Sequence, residues 1–125
     1  MYPVFVVHDL AGARTALAGG APATLLSAPG AGIYAGCGWW RALIAAAREA
    51  HPDVPCIDIL DCADGTGQAL AALRIGVTRL VLWPEAPGRA AAEAIAVGLG
   101  GFLLPAPPAA ATGGKPPRPL GSAQE

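Results

Sequence analysis

The side chains best suited to chemistry in this chain are an imidazole and a carboxylate that follow separate apolar runs. His8 ends the first run, residues 3–8, and Asp61 lies near the end of the third, residues 55–62. A carboxylate and an imidazole within mutual reach can act as general acid and base, so Asp61 and His8 are the catalytic candidates. Their spacing matches no metal-ligand or thiol-nucleophile pattern, and no metal is predicted.

A glycine-rich loop follows the second apolar run, residues 23–28. Glycines allow a backbone to approach a ligand closely or to adopt positive φ, although plain loop geometry would need them as well. Cys37 and Gly38 stand where a phosphate-binding loop needs lysine and serine or threonine, and the spacing is not G-x-G-x-x-G. The predicted ligand-binding residues are Gly30, Gly32, Tyr34, Gly36, Gly38, Asp61 and Asp64. The sequence identifies neither the ligand nor a cofactor.

Several of the aspartates have structural explanations as well. Asp9, and Asp64 or Thr66, precede helical segments and can serve as helix N-caps. Asp58 lies within the third apolar run, where a carboxylate is expected to meet an arginine. Asp61 is not needed as a cap, and we therefore predict that it marks the functional site beside the glycine-rich loop.

The elements that must position these residues alternate along the chain. Five apolar runs, at residues 3–8, 23–28, 55–62, 79–83 and 101–104, predict strands, and helical spacing separates them. The clearest helix spans residues 38–50, with Trp39 expected in the core. This alternation predicts an α/β domain with right-handed crossovers and a mostly parallel sheet.

Continuously apolar strands suggest a sheet that is covered on both faces. We therefore predict a single three-layer domain over residues 1–104, with helices on both faces and a flavodoxin-like strand order. A half-barrel of βα units that completes itself by pairing is the alternative. Residues 105–125 are rich in proline, alanine and glycine, which predicts a flexible tail.

The composition limits the classes of partner that the protein could bind. The chain has 125 residues, 54% hydrophobic and only 14% charged, with a net charge of -1. This balance lacks the basic patch that nucleic acid requires, whereas the weakly charged surface predicts a homo-oligomer. Glycines and prolines interrupt the two long uncharged stretches, residues 15–40 and 94–114, which argues against membrane spans. The beginning of the sequence lacks a basic signal region, so a cytoplasmic protein is expected.

Two segments, LLSAPGAGIYAGCGWWRALI and LDCADGTGQALAALRIG, resemble parts of small uncharacterised bacterial α/β proteins. That resemblance implies a family without implying an activity. A second similarity is to response-regulator receiver domains, since Asp9 and Asp61 follow the first and third strands. The chain departs from the receiver pattern at His8, at Trp83 and at Pro105, where a carboxylate, a serine or threonine, and a lysine are expected. Phosphotransfer would therefore lack its cation.

Together these features predict a binding or regulatory module. It would use the carboxyl ends of the strands to bind a small ligand or a protein partner. The alternatives are a small enzyme with Asp61 and His8 as acid and base or in metal-assisted chemistry, and a degenerate receiver-like domain.

Overall fold

The computed structural model describes residues 1–111, in which strands and helices alternate. The strands are β1 (Val4–Val7), β2 (Ala23–Ser27), β3 (Cys56–Asp61), β4 (Arg79–Val81) and β5 (Phe102–Leu104). The helices are α1 (Leu10–Leu17), α2 (Ala31–Tyr34), α3 (Cys37–Ala50), α4 (Thr66–Arg74) and α5 (Arg89–Gly98).

The five strands form one parallel sheet in the order β1-β2-β3-β4-β5. Val7 is in register with Ser27, and Asp61 is in register with Val81. The predicted single α/β domain with a five-stranded parallel sheet is therefore confirmed.

The strand order and the placement of the helices differ from the flavodoxin-like prediction. In a flavodoxin-like sheet the strand order reverses once, and this reversal places helices on both faces. Here each strand lies beside the preceding one, so right-handed crossovers place successive helices on the same face. Accordingly, α1 contacts α3, α3 contacts α4, and α4 contacts α5. The domain has two main layers, and its sequential order is that of the half-barrel alternative.

The main core lies between this helix layer and one face of the sheet. Leu25, Leu60 and Leu80 supply the sheet side, and Trp40 is the largest fully buried side chain. Trp39, which was expected in the core, is half-buried and packs against it, whereas Trp40 is fully buried within it. One residue along α3 corresponds to a rotation of about 100° around the helix axis, which accounts for the different burial of the two rings.

A second apolar cluster lies on the opposite face of the sheet. Its buried members are Val4, Leu26, Ile59 and Val81, all of them strand residues. Among residues 1–111, no helix contributes a side chain to this cluster. The strands are thus apolar on both faces although the helices pack on only one.

The chain beyond β5 returns toward the first strand. The Ala111 N–H donates a hydrogen bond of 2.9 Å to the Val4 carbonyl oxygen. Residues 105–111 thus connect the last strand of the sheet with the first. The rest of the predicted tail, residues 112–125, lies outside the described residues, and the domain boundary after residue 104 stays a prediction.

None of the helices within residues 1–111 has the length and hydropathy that crossing a bilayer requires.

Candidate functional site

The parallel sheet brings the ends of its strands to one edge, which we call the carboxyl edge. His8 follows β1, Ser27 ends β2, Asp61 ends β3, and Trp83 follows β4. The candidate residues of the sequence analysis therefore lie on the side of the sheet at which open α/β folds bind ligands.

Asp61 is built into the turn that follows β3. Its side chain is buried, and its Oδ1 accepts a hydrogen bond of 2.8 Å from the Ala63 N–H. Its backbone N–H donates to the Ser27 Oγ at 2.9 Å, which ties the ends of β2 and β3 together. Ala63 has a φ of 50°, a left-handed conformation that few residues other than glycine adopt. The Asp61 carboxylate therefore stabilises an unusual turn.

The glycine-rich loop contacts this turn directly. A Cβ at Gly32 would lie 2.7 Å from the Cys62 Sγ and 3.1 Å from the Asp61 carbonyl oxygen. Position 32 must therefore lack a side chain for α2 to pack against the β3–α4 turn. Gly30 and Gly36 have positive φ values of 72° and 91°. Asp61 thus lies beside the loop, and chain geometry accounts for these three glycines without a ligand.

The structure separates the two expected helix caps. Asp9 is the N-cap of α1, and its Oδ1 accepts a hydrogen bond of 2.7 Å from the Gly12 N–H, as predicted. The N-cap of α4 is instead Gly65, which has no side chain to act as an acceptor. The expectation that Asp64 or Thr66 caps this helix is therefore wrong, and Asp64 is exposed at the carboxyl edge.

His8 is exposed, whereas Asp61 is buried and hydrogen-bonded within its own turn. Among residues 1–111, no group of three or more histidine, cysteine or acidic side chains is arranged to hold a metal ion.

Large apolar side chains are exposed on both sides of the same turn. The exposed fractions are 43% for Ile33, 70% for Tyr34 and 40% for Trp83. The Ile33 side chain packs beside Gly65, where an added Cβ would lie 2.9 Å from its Cγ1. The backbone N–H of Trp83 donates a hydrogen bond of 2.8 Å to the Ala63 carbonyl oxygen. We call Ile33, Tyr34 and Trp83 the apolar rim of the carboxyl edge.

The sequence analysis selected Tyr34 but assigned no binding role to Ile33 or Trp83. Only their position in the sequence could have indicated these two residues, since each follows soon after a strand that ends at this edge. Helix α2, which presents Ile33 and Tyr34, has only four residues and lies among glycines, so no helical periodicity marked it.

Cys62 is part of this turn and is buried there as a protonated thiol. Burial, together with the neighbouring Asp61 and Cys37, raises its pKa to about 12. The thiolate is the form that attacks electrophiles, so Cys62 is poorly placed to act as a nucleophile at neutral pH.

We expect Cys62 to be alkylated by iodoacetamide only when the protein unfolds, and Cys37, which is half-buried, to react first. In the unfolded chain the pKa of a cysteine is about 8.5. Between this pH and about 12, the unfolded state therefore loses the Cys62 proton while the folded state keeps it. The contribution of Cys62 to stability should therefore fall as pH rises from about 8.5 towards 12. Melting temperatures between pH 8 and 10.5 should fall less steeply in Cys62→Ala. Equal native alkylation rates for Cys37 and Cys62 would contradict this prediction.

At the opposite edge of the sheet, Asp58 forms the predicted ion pair with an arginine. Its Oδ1 lies 2.8 Å from an Arg48 guanidinium nitrogen, and both groups are partly screened from solvent. The partner lies on α3, so this pair holds the helix layer against β3.

Comparison with models of known protein families finds no match, and comparison with curated proteins finds no similar sequence. The resemblance to small bacterial α/β proteins therefore stays a prediction, and the function must be argued from the geometry.

Proposed function

We propose that this protein is a non-catalytic binding or regulatory module that binds a protein partner through its carboxyl edge. The observation that carries the proposal is the apolar rim, because Ile33, Tyr34 and Trp83 are exposed around a turn whose conformation is fixed by hydrogen bonds. Exposed aromatic side chains on a rigid support are the typical anchors of protein interfaces.

The polar groups around the rim support a binding surface more than a catalytic centre. The exposed side chains Asp64 and Glu85 lie in the turn beside the rim and in the segment that follows Trp83. They can supply the polar border that surrounds an interface core. By contrast, Asp61 uses a carboxylate oxygen to hold its own turn, so the enzyme alternative gains no specific support.

A second copy of the chain is the partner we propose. The chain has a net charge of only -1, so copies of it repel one another weakly. Packing of the rim against the same rim of a second copy would produce a symmetric dimer. The cytoplasm remains our predicted location for this assembly.

Light scattering and sedimentation equilibrium between 5 and 500 μM test the proposal. We expect the wild type to dimerise, and Tyr34→Ala and Trp83→Ala each to weaken dimerisation by at least about tenfold, since interface aromatics dominate binding energy. Val97→Ala is the matched control, because Val97 is 60% exposed on α5, away from the rim.

A monomer at all concentrations would contradict the proposed partner, and equal weakening by Val97→Ala would contradict the proposed surface. Asp61→Asn provides a further check, because an amide oxygen can still accept the Ala63 N–H. We expect Asp61→Asn to dimerise like the wild type.

A further inference from the structure

A cavity of about 480 Å³ lies at the opposite edge of the sheet, near the beginnings of β3 and β4. Its size is within the range of small-molecule sites, which is roughly 300 to 1,000 Å³. Three arginines line it, two from α3 and one from β4: Arg41, Arg48 and Arg79. The apolar part of its wall includes Ile44 and Val77.

Backbone and carboxylate oxygens hold the three guanidinium groups in place. Arg41 donates to the Ile75 carbonyl oxygen at 3.0 Å, and Arg48 donates to the Cys56 carbonyl oxygen at 2.9 Å. Arg48 and Arg79 both donate to the Asp58 Oδ1, at 2.8 and 3.5 Å, so their guanidinium groups lie close together. Each guanidinium carries five N–H donors, and these bonds use only a minority of them.

The charge of the cavity is not balanced by its own residues. Among residues 1–111, Asp58 is the only acidic side chain that lines the cavity, so the three arginines leave an excess of two positive charges there. Like charges held together destabilise a folded protein unless an anion or solvent compensates them. The arginines remain partly exposed, with 42% of the Arg48 side chain and 36% of the Arg79 side chain accessible. A ligand can therefore reach them.

We propose that this cavity binds a small metabolite that carries a phosphate monoester. Such a group has a charge of about -1.5 to -2 near neutral pH, which matches the excess charge. Arginine forks bind phosphate oxygens in pairs, and Arg48 and Arg79 are close enough to share one phosphoryl group. Ile44 and Val77 provide apolar contacts for the carbon part of the ligand.

This site is independent of the proposed dimer surface. The acidic side chains Asp9, Asp64 and Glu85 lie at the carboxyl edge, where a phosphate would be repelled. The arginines lie at the other end of the same strands, where the nearby carboxylate, Asp58, is already paired. One edge would thus bind a protein and the other a small anion.

Calorimetric titration with glycerol 3-phosphate, inorganic phosphate and succinate, at low and at moderate salt, tests the proposal. We expect saturable binding of glycerol 3-phosphate that weakens with salt, and at least tenfold weaker binding in Arg79→Gln. Arg14→Gln is the matched control, because Arg14 is an exposed arginine on α1 and should leave the dissociation constant unchanged.

Asp58→Asn separates binding from structural damage. This variant removes the competing negative charge, so it should bind glycerol 3-phosphate several-fold more tightly even if it melts at a lower temperature. No saturable binding of either phosphate compound, equal or tighter binding of succinate, weaker binding in Asp58→Asn, or the same loss in Arg14→Gln would overturn the proposal.

Discussion

Gly101→Ala should be among the most damaging single-methyl additions in this protein, with a loss of about 3 kcal/mol or more in the free energy of unfolding. A Cβ at Gly101 would overlap the Thr78 carbonyl oxygen and lie 2.6 Å from the Thr78 Cβ. The backbone cannot easily yield, because the Thr78 oxygen accepts the Phe102 N–H and the Gly101 N–H donates to Ala96. The substitution would therefore push β5 away from β4.

Gly98→Ala is the matched control for this experiment. Gly98 ends α5, and nothing lies within 4 Å of a Cβ placed there. Alanine has the better helix propensity, so this variant should be as stable as the wild type or up to about 1 kcal/mol more stable. Urea denaturation of both variants measures the difference. Equal stabilities would show that β5 does not approach Thr78 as closely as described.

Trp40→Ala should cost about 3–5 kcal/mol, because it leaves a cavity the size of an indole in the centre of the core. Trp40→Phe should cost much less, below about 1.5 kcal/mol. The Trp40 Nε1–H is fully buried and has no hydrogen-bond partner among residues 1–111. A buried donor without a partner costs about 1–3 kcal/mol, and phenylalanine removes this penalty together with part of the ring.

Trp39→Phe provides the comparison for the second experiment, since Trp39 is half-buried and its ring centroid lies 5.7 Å from that of Trp40. We expect a loss of less than about 1 kcal/mol. Circular dichroism should follow the urea denaturation, because these substitutions change the fluorescence. A Trp40→Phe variant as unstable as Trp40→Ala would contradict the interpretation of the unpaired N–H.

The βα alternation could be predicted because each element carries its own signal. Apolar runs marked the strands, and α3 was predicted at residues 38–50 and observed at Cys37–Ala50. The strand order could not be predicted, because continuously apolar strands fit any sheet that is buried on both faces. Here the second face is buried as a cluster of strand residues without a helix layer.

Of the two candidate sites, the one formed by residues close to strand ends could be predicted from the sequence, and the one formed by distant residues could not. The sequence indicated the carboxyl edge, because residues after parallel strands meet at one edge wherever the strands lie. The arginine cavity depends on packing between α3 and β4, and no sequence motif joins Arg79 to the other two. Arg41 and Arg48 are seven residues apart on one helix, so their shared face was the available signal.

The sequential strand order also bears on how the protein is made. Each strand pairs with the strand synthesised just before it, so the sheet can grow one unit at a time while the chain leaves the ribosome. Contacts between neighbours in sequence favour rapid folding. The bond from Ala111 to Val4 is the exception, since it reaches back to the first strand and can form only after all five strands have been synthesised. The segment after β5 thereby links the two edge strands of a sheet that has been assembled in order.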